Sequence, residues 1–290
     1  MADNLAKNSL HAPGYTSTLH VDADAPEIFE KIKATLKNTA PGVTVKNLHE
    51  DALYTQLKTD EIYSYFRQGQ GKNLSAASDV ARYQIMHKHG GVYLDTDDII
   101  QANVDSAALM AGPNDVLLGN AVVHRATGYK PFYNTSNFAT QPGNPLMKDI
   151  LTEMHKRFTA NKPYFVNNRP VARQSIDGGA FTADLDTYAK KLFETTGPTL
   201  LNDTLKVKRP DMYDLGLEGL AKDTKVVDGE LVSSGPVVNN EERARNLYLK
   251  EGIAPPPLLR SQINKMSEHY FPLRHKFNVK PGADHSWKTG

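Results

Sequence analysis

Two adjacent glycines, Gly90-Gly91, divide a long helix-compatible run from a short β-prone one, and the architecture of the chain follows from that division. From Ala76 to His89 no residue breaks a helix, and Ala77, Val80, Ala81 and Ile85 recur at helical spacing to make an apolar face. Ser75 is the expected N-cap. One glycine of the pair is free to take the left-handed conformation that ends helices. Val92-Tyr93-Leu94 is short, apolar and β-prone, as a central strand requires. Asp95-Thr96-Asp97 then falls where that strand leaves its sheet. In open α/β sheets ligands bind outside the carboxyl ends of the strands. Two aspartates one residue apart at such an end can reach one hard cation, Mg²⁺ or Mn²⁺, through oxygen ligands. Such a cation in turn neutralises a diphosphate. Asp79 and Arg82 are three apart on the helix and so share a face, adding a cationic fork to the same cleft.

The surrounding pattern fits an α/β sheet. Tyr15 to Val21 reads as a first strand, and Ala25-Pro26 opens a helix lined by Ile28, Ile32 and Leu36. Val43 to Val45 is a second strand, so the order β, α, β predicts a parallel, Rossmann-like pair. Residues 51 to 67 are expected to be helical, with Leu53, Leu57, Ile62 and Phe66 in the core, and Gln68 to Lys72 to connect them to the central stretch. Asp115 to Gly119 and Phe132 to Ala139 are further strand candidates. A helix follows Pro145 and runs to about residue 161. Residues 162 to 180 read as an irregular excursion, suited to an acceptor loop or lid. Phe181, Leu185, Tyr188 and Leu192 mark a helix stopped at Thr195 to Pro198. Lys225 to Val232 reads as a hairpin turning at Asp228-Gly229, and Glu241 to Lys250 as a charged helix. Residues 1 to 13 are expected to be flexible. Residues 14 to 290 are expected to be a single domain, closed at its end by residues 281 to 290.

Composition narrows the function classes. The chain has 290 residues, enough for one large α/β domain, and a net charge of +1 from 34 basic and 33 acidic residues. That balance offers no nucleic-acid footprint. With no cysteine, disulfides and thiolate metal sites are excluded. No apolar run reaches the length of a membrane span, and the polar N-terminus has no signal-peptide core. The expectation is a soluble protein.

The order Ser-Asp-x-x-Arg, then Gly-Gly-x-Tyr-Leu-Asp-x-Asp, carried by Ser78, Asp79, Arg82, Gly90, Gly91, Tyr93, Leu94, Asp95 and Asp97, resembles the donor-binding core of retaining sugar-nucleotide glycosyltransferases with a DXD motif. The pattern is similar to the catalytic domain of the large clostridial glucosylating toxins and to related bacterial effectors. The resemblance implies the GT-A fold, a mostly parallel Rossmann-like sheet flanked by helices with helical and loop excursions. It implies a UDP-sugar donor, glucose or N-acetylglucosamine, with Mn²⁺ or Mg²⁺ on its diphosphate. Asp97 would ligate the metal directly and Asp95 through water or through the ribose and sugar hydroxyls. Asp79 and Arg82 would orient the hexose, and Tyr93 would lie against the ribose. Asn137, ahead of Pro142-Gly143-Asn144-Pro145 and with Asn134 as the second candidate, would hydrogen-bond the donor hexose or the acceptor near the anomeric carbon; a plain loop asparagine is the alternative.

At the other end, Ala283 to Lys288 resembles the closing segment of these transferases. Trp287 would cover the donor, with His285 and Ser286 completing the metal shell; a packing role for Trp287 and a solvent-facing His285 are the alternatives. One departure is plain. The family's N-terminal strand is followed by a tryptophan that stacks on uracil, whereas here Leu19-His20 has none after it, and Tyr15 is the substitute considered. The family retains anomeric configuration by front-face attack, so the sequence needs no enzymic base. The acceptor implied is a protein side chain, as for toxins and effectors delivered into host cells, with a glycan as the alternative. A binding module without turnover and a haloacid-dehalogenase-type phosphatase are the rival classes. The latter places its nucleophile strand near the start of the domain and needs a later acidic pair.

Overall fold

Local signals set most of the elements in the computed structural model, which describes residues 1–69, 71–104, 109–119, 121–122, 132–167, 170, 183–210, 212–213, 224–227, 230–233 and 270–282. The chain begins with helix α1 (Ala2–His11), where a flexible segment was expected. Strand β1 (Ser17–Val21) leads into α2 (Pro26–Thr39), which has proline at its first turn as anticipated. Strand β2 (Val43–Asn47) pairs parallel to β1, with Leu19 opposite Val45. The buried face of α2 differs from the one expected: Phe29 and Leu36 are buried while Ile28 is 54% exposed.

Residues 51 to 67 form two helices, α3 (Leu53–Thr59) and α4 (Glu61–Arg67). Asp60 breaks them, its carboxylate accepting from the amides of Ile62 and Tyr63 as an N-cap. Leu53, Leu57, Ile62 and Phe66 are all core residues. Each fully buried side chain of this kind contributes about 1.5–3 kcal/mol. Helix α5 (Leu74–His89) is capped by Asn73, whose side chain accepts from Ala76, and not by Ser75. Gly90 ends it with φ +63°, its amide bonding Met86, and Gly91 follows at φ +99°. A Cβ at Gly90 would collide with Pro142, so this glycine serves packing as well as conformation.

Strand β3 (Gly91–Leu94) then leads through the aspartates to β4 (Ile99–Ile100). Strand β5 (Val116–Leu118) follows, then a pair of short antiparallel strands, β6 (Ala121–Val122) and β7 (Phe132–Tyr133), and then β8 (Asn137–Thr140). The stretch expected as one strand from 132 to 139 is therefore two, broken by a bend. Strand β8 lies between β3 and β5 and runs antiparallel to both. Its four residues are buried, and Leu94 faces Asn137 in the register, next to Asp95.

Helix α6 (Pro145–Phe165) starts at the expected proline and runs past 161 with Pro163 inside its last turn. Helix α7 (Ala183–Thr195) stops at the expected Thr-Gly-Pro, and α8 (Pro198–Lys208) starts there. The hairpin forms as strands β9 (Thr224–Val227) and β10 (Glu230–Ser233). Near the end, α9 (Pro272–His275) leads to β11 (Val279–Lys280), which pairs antiparallel with β4. The main core gathers α3 to α8 around β5 and β8, with Phe66, Phe158 and Phe165 in mutual ring contact. A smaller one holds Ala12, Ile100, Val104, Leu273, Phe277 and Val279. The excursion from 171 to 180, Phe181, the charged helix from 241 to 250 and the end segment from 283 lie outside the described residues.

Candidate active site

Helix α5 and strand β3 deliver the central cluster. Arg82 is 5% exposed and points its guanidinium at the end of β3. Its Nη2 lies 3.2 Å from Asp79 Oδ1 and 3.3 Å from Asp95 Oδ1, and its Nη1 donates to the Thr135 carbonyl at 2.6 Å. The Tyr93 ring sits under the same guanidinium at 4.7 Å. The Tyr93 hydroxyl donates to Asp95 Oδ1 at 2.6 Å, and the Ser78 hydroxyl bonds Tyr93 in turn. Asp79 is held from its other side by the Thr196 hydroxyl at 3.0 Å. Ser78, Asp79, Arg82, Tyr93 and Asp95 thus converge as the sequence pattern anticipates.

The electrostatics follow from burial. Desolvation pushes the Asp79 carboxyl up to about 6 against the pull of Arg82 and Thr196. Burial likewise raises Asp95, opposed by Arg82 and Tyr93. Arg82 stays charged: burial works against it, but Asp95, Tyr93 and Asp79 more than offset that. One guanidinium shared between two carboxylates leaves the cluster net negative, before Asp97 is counted. Arg82 Nε is buried and has no partner among the described residues.

The loop after β3 holds a third aspartate that motif reading passes over. Asp98 is fully buried. Its Oδ1 accepts from the Gly282 amide at 2.9 Å and its Oδ2 from the Asn137 side chain at 2.9 Å. Desolvation pushes its carboxyl up to about 7, in spite of those bonds. Asn137 also donates to the Ser136 hydroxyl at 3.0 Å, so both its bonds stay within this knot. Gly119 and Gly282 leave room for it: a Cβ at 119 would strike the Asn137 amide, and one at 282 the Asp97 carboxylate. His285, Ser286 and Trp287 lie outside the described residues.

A second cluster sits at the carboxyl ends of the parallel strands β1 and β2, and no sequence motif points to it. Asp22 accepts from the Tyr63 hydroxyl, from Arg67 Nε, and from Arg67 Nη2 at 2.9 Å. Its Oδ1 lies 2.6 Å from His49 Nε2. Burial opposes ionisation of Asp22, but Arg67, Tyr63 and His49 hold its carboxyl below the usual range. Arg67 also reaches Asp24 at 2.7 Å. The His49 ring stacks on Tyr54 with centroids 3.9 Å apart. Tyr54, His49, Tyr63, Arg67, Lys58 and Asp24 line a cavity of about 450 Å³. Tyr15, the aromatic considered for base stacking, instead packs edge-on against Phe277 at 5.7 Å in the smaller core. Asp22, Asp24 and His49 have metal-ligand spacing, but Arg67 already pairs with both carboxylates.

Comparison with known proteins takes up this geometry. Residues 21–115, which contain β2 to β4, Asp22, Asp79, Arg82 and Asp95, match the family described as "Glycosyltransferase sugar-binding region containing DXD motif". The matched stretch is the one that carries the Asp95-Thr96-Asp97 motif. The fold agrees with it: a structure titled "PaToxG Glycosyltransferase" superposes with a TM-score of 0.56 at 15% identity, covering 93% of this chain and 79% of that one. The ligand-free glycosyltransferase domain of the YGT toxin gives 0.37 at 13% identity, over 64% of this chain and 56% of that one. Its UDP-bound form gives 0.38 at 13% identity, over 86% and 67%. No curated protein sequence matches. The α/β GT-A architecture expected from the Gly-Gly and DXD pattern is therefore found, with one difference: among the described strands β1 and β2 alone pair parallel, where a mostly parallel sheet was expected, because β8 returns between β3 and β5 against both. Among the described residues, no helix is long and apolar enough to cross a membrane.

Proposed function

We propose that the enzyme moves a hexose, glucose or N-acetylglucosamine, from a UDP-sugar to an acceptor, with metal assistance and retention of configuration. The observation that carries this reading is the convergence of Asp79, Arg82, Tyr93 and Asp95 at the carboxyl end of β3. The donor set suits a hard divalent cation, Mn²⁺ or Mg²⁺: the ligands available on the loop are carboxylates, and the cluster behind them has negative charge to spare. A bound cation supplies charge neutralisation for the departing diphosphate. Asp97 and the second carboxylate oxygen of Asp95 would hold it, with His285 and Ser286 completing the shell.

The chain's own residues do the rest. Arg82 and Tyr93 fix Asp95 in place, so that it meets the donor without reorganising. Buried polar groups normally find partners, and a hydroxyl or phosphate oxygen of the donor would satisfy Arg82 Nε. Asp79, fixed by Thr196, orients the hexose. Asn137 acts on the site through Asp98. The cavity at the ends of β1 and β2 suits a planar base, with the His49–Tyr54 pair supplying the aromatic surface that the family's missing tryptophan gives elsewhere. Residues 14 to 290 and the docked α1 act as one domain, residues 162 to 180, which begin in the last turn of α6, present the acceptor, and residues 281 to 290 close over the donor with Trp287, excluding water. The acceptor is a protein side chain, in keeping with the resemblance to toxin and effector domains that act inside a host cell.

Donor hydrolysis tests the reading. The purified chain with Mn²⁺ and a panel of UDP-sugars should release UDP from one of them, and release should vanish on chelation and in the Asp95→Asn/Asp97→Asn variant. A double variant that turns over normally would refute the assignment. UDP binding without any release would favour a non-catalytic binding module.

A further inference from the structure

The loop that carries Asp95 and Asp97 does not stand on its own backbone. Thr96, Asp97, Asp98 and Ile100 direct main-chain groups away from β11, toward helix α1. Three polar residues of that helix, Asn4, Asn8 and His11, share one face by their spacing, and all three meet those groups. The Asn4 amide donates to the carbonyls of Thr96 and Asp97 at 3.4 and 3.3 Å. The buried Asn8 donates to the Asp98 carbonyl at 2.8 Å and accepts from the Ile100 amide at 2.8 Å. His11 Nδ1 donates to the Ile100 carbonyl.

The Asn8 pattern is specific. One donor and one acceptor bond the carbonyl of residue 98 and the amide of residue 100, which is how a residue of a parallel strand bonds its neighbour. The carboxamide has the donor and acceptor needed to imitate a peptide group. It therefore completes the outer edge of β4, whose other edge is paired with β11. The loop between Asp95 and Ile100 is gripped on both sides, and the Asp97 carboxylate, packed against Gly282, belongs to the gripped segment.

We propose that Asn8 is a positioning residue for the metal and diphosphate: through the backbone of residues 98 to 100 it sets where the Asp97 carboxylate stands. The proposal rests on the donor-site reading given above. A loop held in one conformation offers its carboxylate without ordering cost, whereas a freed loop must be ordered by the metal itself.

The test is Mn²⁺ binding by the full chain in the presence of UDP, read from the electron paramagnetic resonance signal of free Mn²⁺ well below the melting temperature. Asn8→Ala should weaken Mn²⁺ binding about tenfold, the scale of residues that orient metal ligands from behind. Ile150→Val, a trim of the distant core in α6, should lower the melting temperature and leave Mn²⁺ binding unchanged. Asn4→Ala, milder because its bonds are long and its side chain partly exposed, should weaken binding about twofold, and it decides the matter where Asn8→Ala does not fold. Unchanged Mn²⁺ binding in folded Asn8→Ala, or in Asn4→Ala where that variant decides, overturns the proposal. So does a loss in Ile150→Val equal to that in Asn8→Ala, since the role would then be plain stability. Wild-type chain that binds no Mn²⁺ overturns the donor-site reading and this proposal together. Binding that Asp97→Asn abolishes and Asn8→Ala spares overturns this proposal alone.

Discussion

Replacing Arg82 with methionine should expose how the site stores charge. The guanidinium is buried, touches Asp79 at 3.2 Å and Asp95 at 3.3 Å, and donates to the Thr135 carbonyl at 2.6 Å. Methionine fills much of the same volume and removes the charge, so two carboxylates lose their shared counter-ion. Stripping one partner from a buried ion pair costs about 3–5 kcal/mol. Domains of this kind have roughly 5–15 kcal/mol in all, so the variant should still fold, with a clear loss. The loss should also depend on pH. Asp79 already holds its proton up to about 6 with Arg82 present, against a reference value of 3.8, because it is buried. An acid whose folded pKa is raised binds more protons in the native state, so stability falls as pH rises from the unfolded value through the folded one. Without Arg82 that window extends further upward. Urea denaturation under chelation should therefore show the full deficit at pH 7 and a smaller one at pH 5. Adding Asp79→Asn to the variant should restore part of the loss at pH 7. A methionine variant as stable as wild type, or equally destabilised at both pH values, would refute the charge argument.

Gly282→Ala would drive a Cβ into the Asp97 carboxylate; since a displacement near 1 Å can cost about a hundredfold in rate, donor hydrolysis should fall by about that much while the circular-dichroism spectrum stays that of wild type. At the far end of α5, Asp51 is held down to about 2: burial opposes this, but Lys88 at 2.6 Å, the Leu53 amide and His89 prevail. A depressed carboxyl stabilises the fold above its unfolded value and loses that contribution as pH falls from 3.8 toward 2. Lys88→Met should therefore lower stability at pH 7 by no more than about 1 kcal/mol, the pair being largely solvated. The difference from wild type should vanish in melts near pH 2.

The parts of the molecule legible in the sequence are those with local causes. Leu53, Leu57, Ile62 and Phe66 repeat at helical spacing and lie in the core. The glycine pair ends α5 as its conformational freedom requires. The Asp79–Arg82 pair and Asp95 meet because helix spacing and strand direction leave them little choice. What stayed hidden depends on partners far along the chain. Nothing in residues 1 to 13 is apolar enough to announce a docked helix, because α1 is held by amide bonds to a loop some 90 residues on. The burial of Asp98 is decided by Asn137 and Gly282, and its neighbours in sequence give no hint of that. Strand β11 is two residues long, too short to leave a periodic signal. Asn73 outcompetes Ser75 as the cap of α5 because the chain enters from the end of α4, where the Asn73 amide already bonds the Phe66 carbonyl. Ile28 and Phe29 are adjacent apolar residues, and sequence alone does not say which of them turns inward.

The bond from Gly282 to Asp98 spans 184 positions, whereas the core around α4, α5 and α6 closes over much shorter separations. Closing a loop costs more as it lengthens, by about 0.6 kcal/mol per doubling, and during synthesis the late partner does not yet exist. The part of the core built on α4, α5 and α6 can therefore close before the loop after β3 is held. A nascent or refolding chain passes through a stage with β3 and α5 packed and Asp98 still without the Gly282 amide. The loop after β3 gains its last backbone partner only when Val279 to Gly282 dock beside β4, so the ordering of the aspartates trails the folding of the helices that surround them.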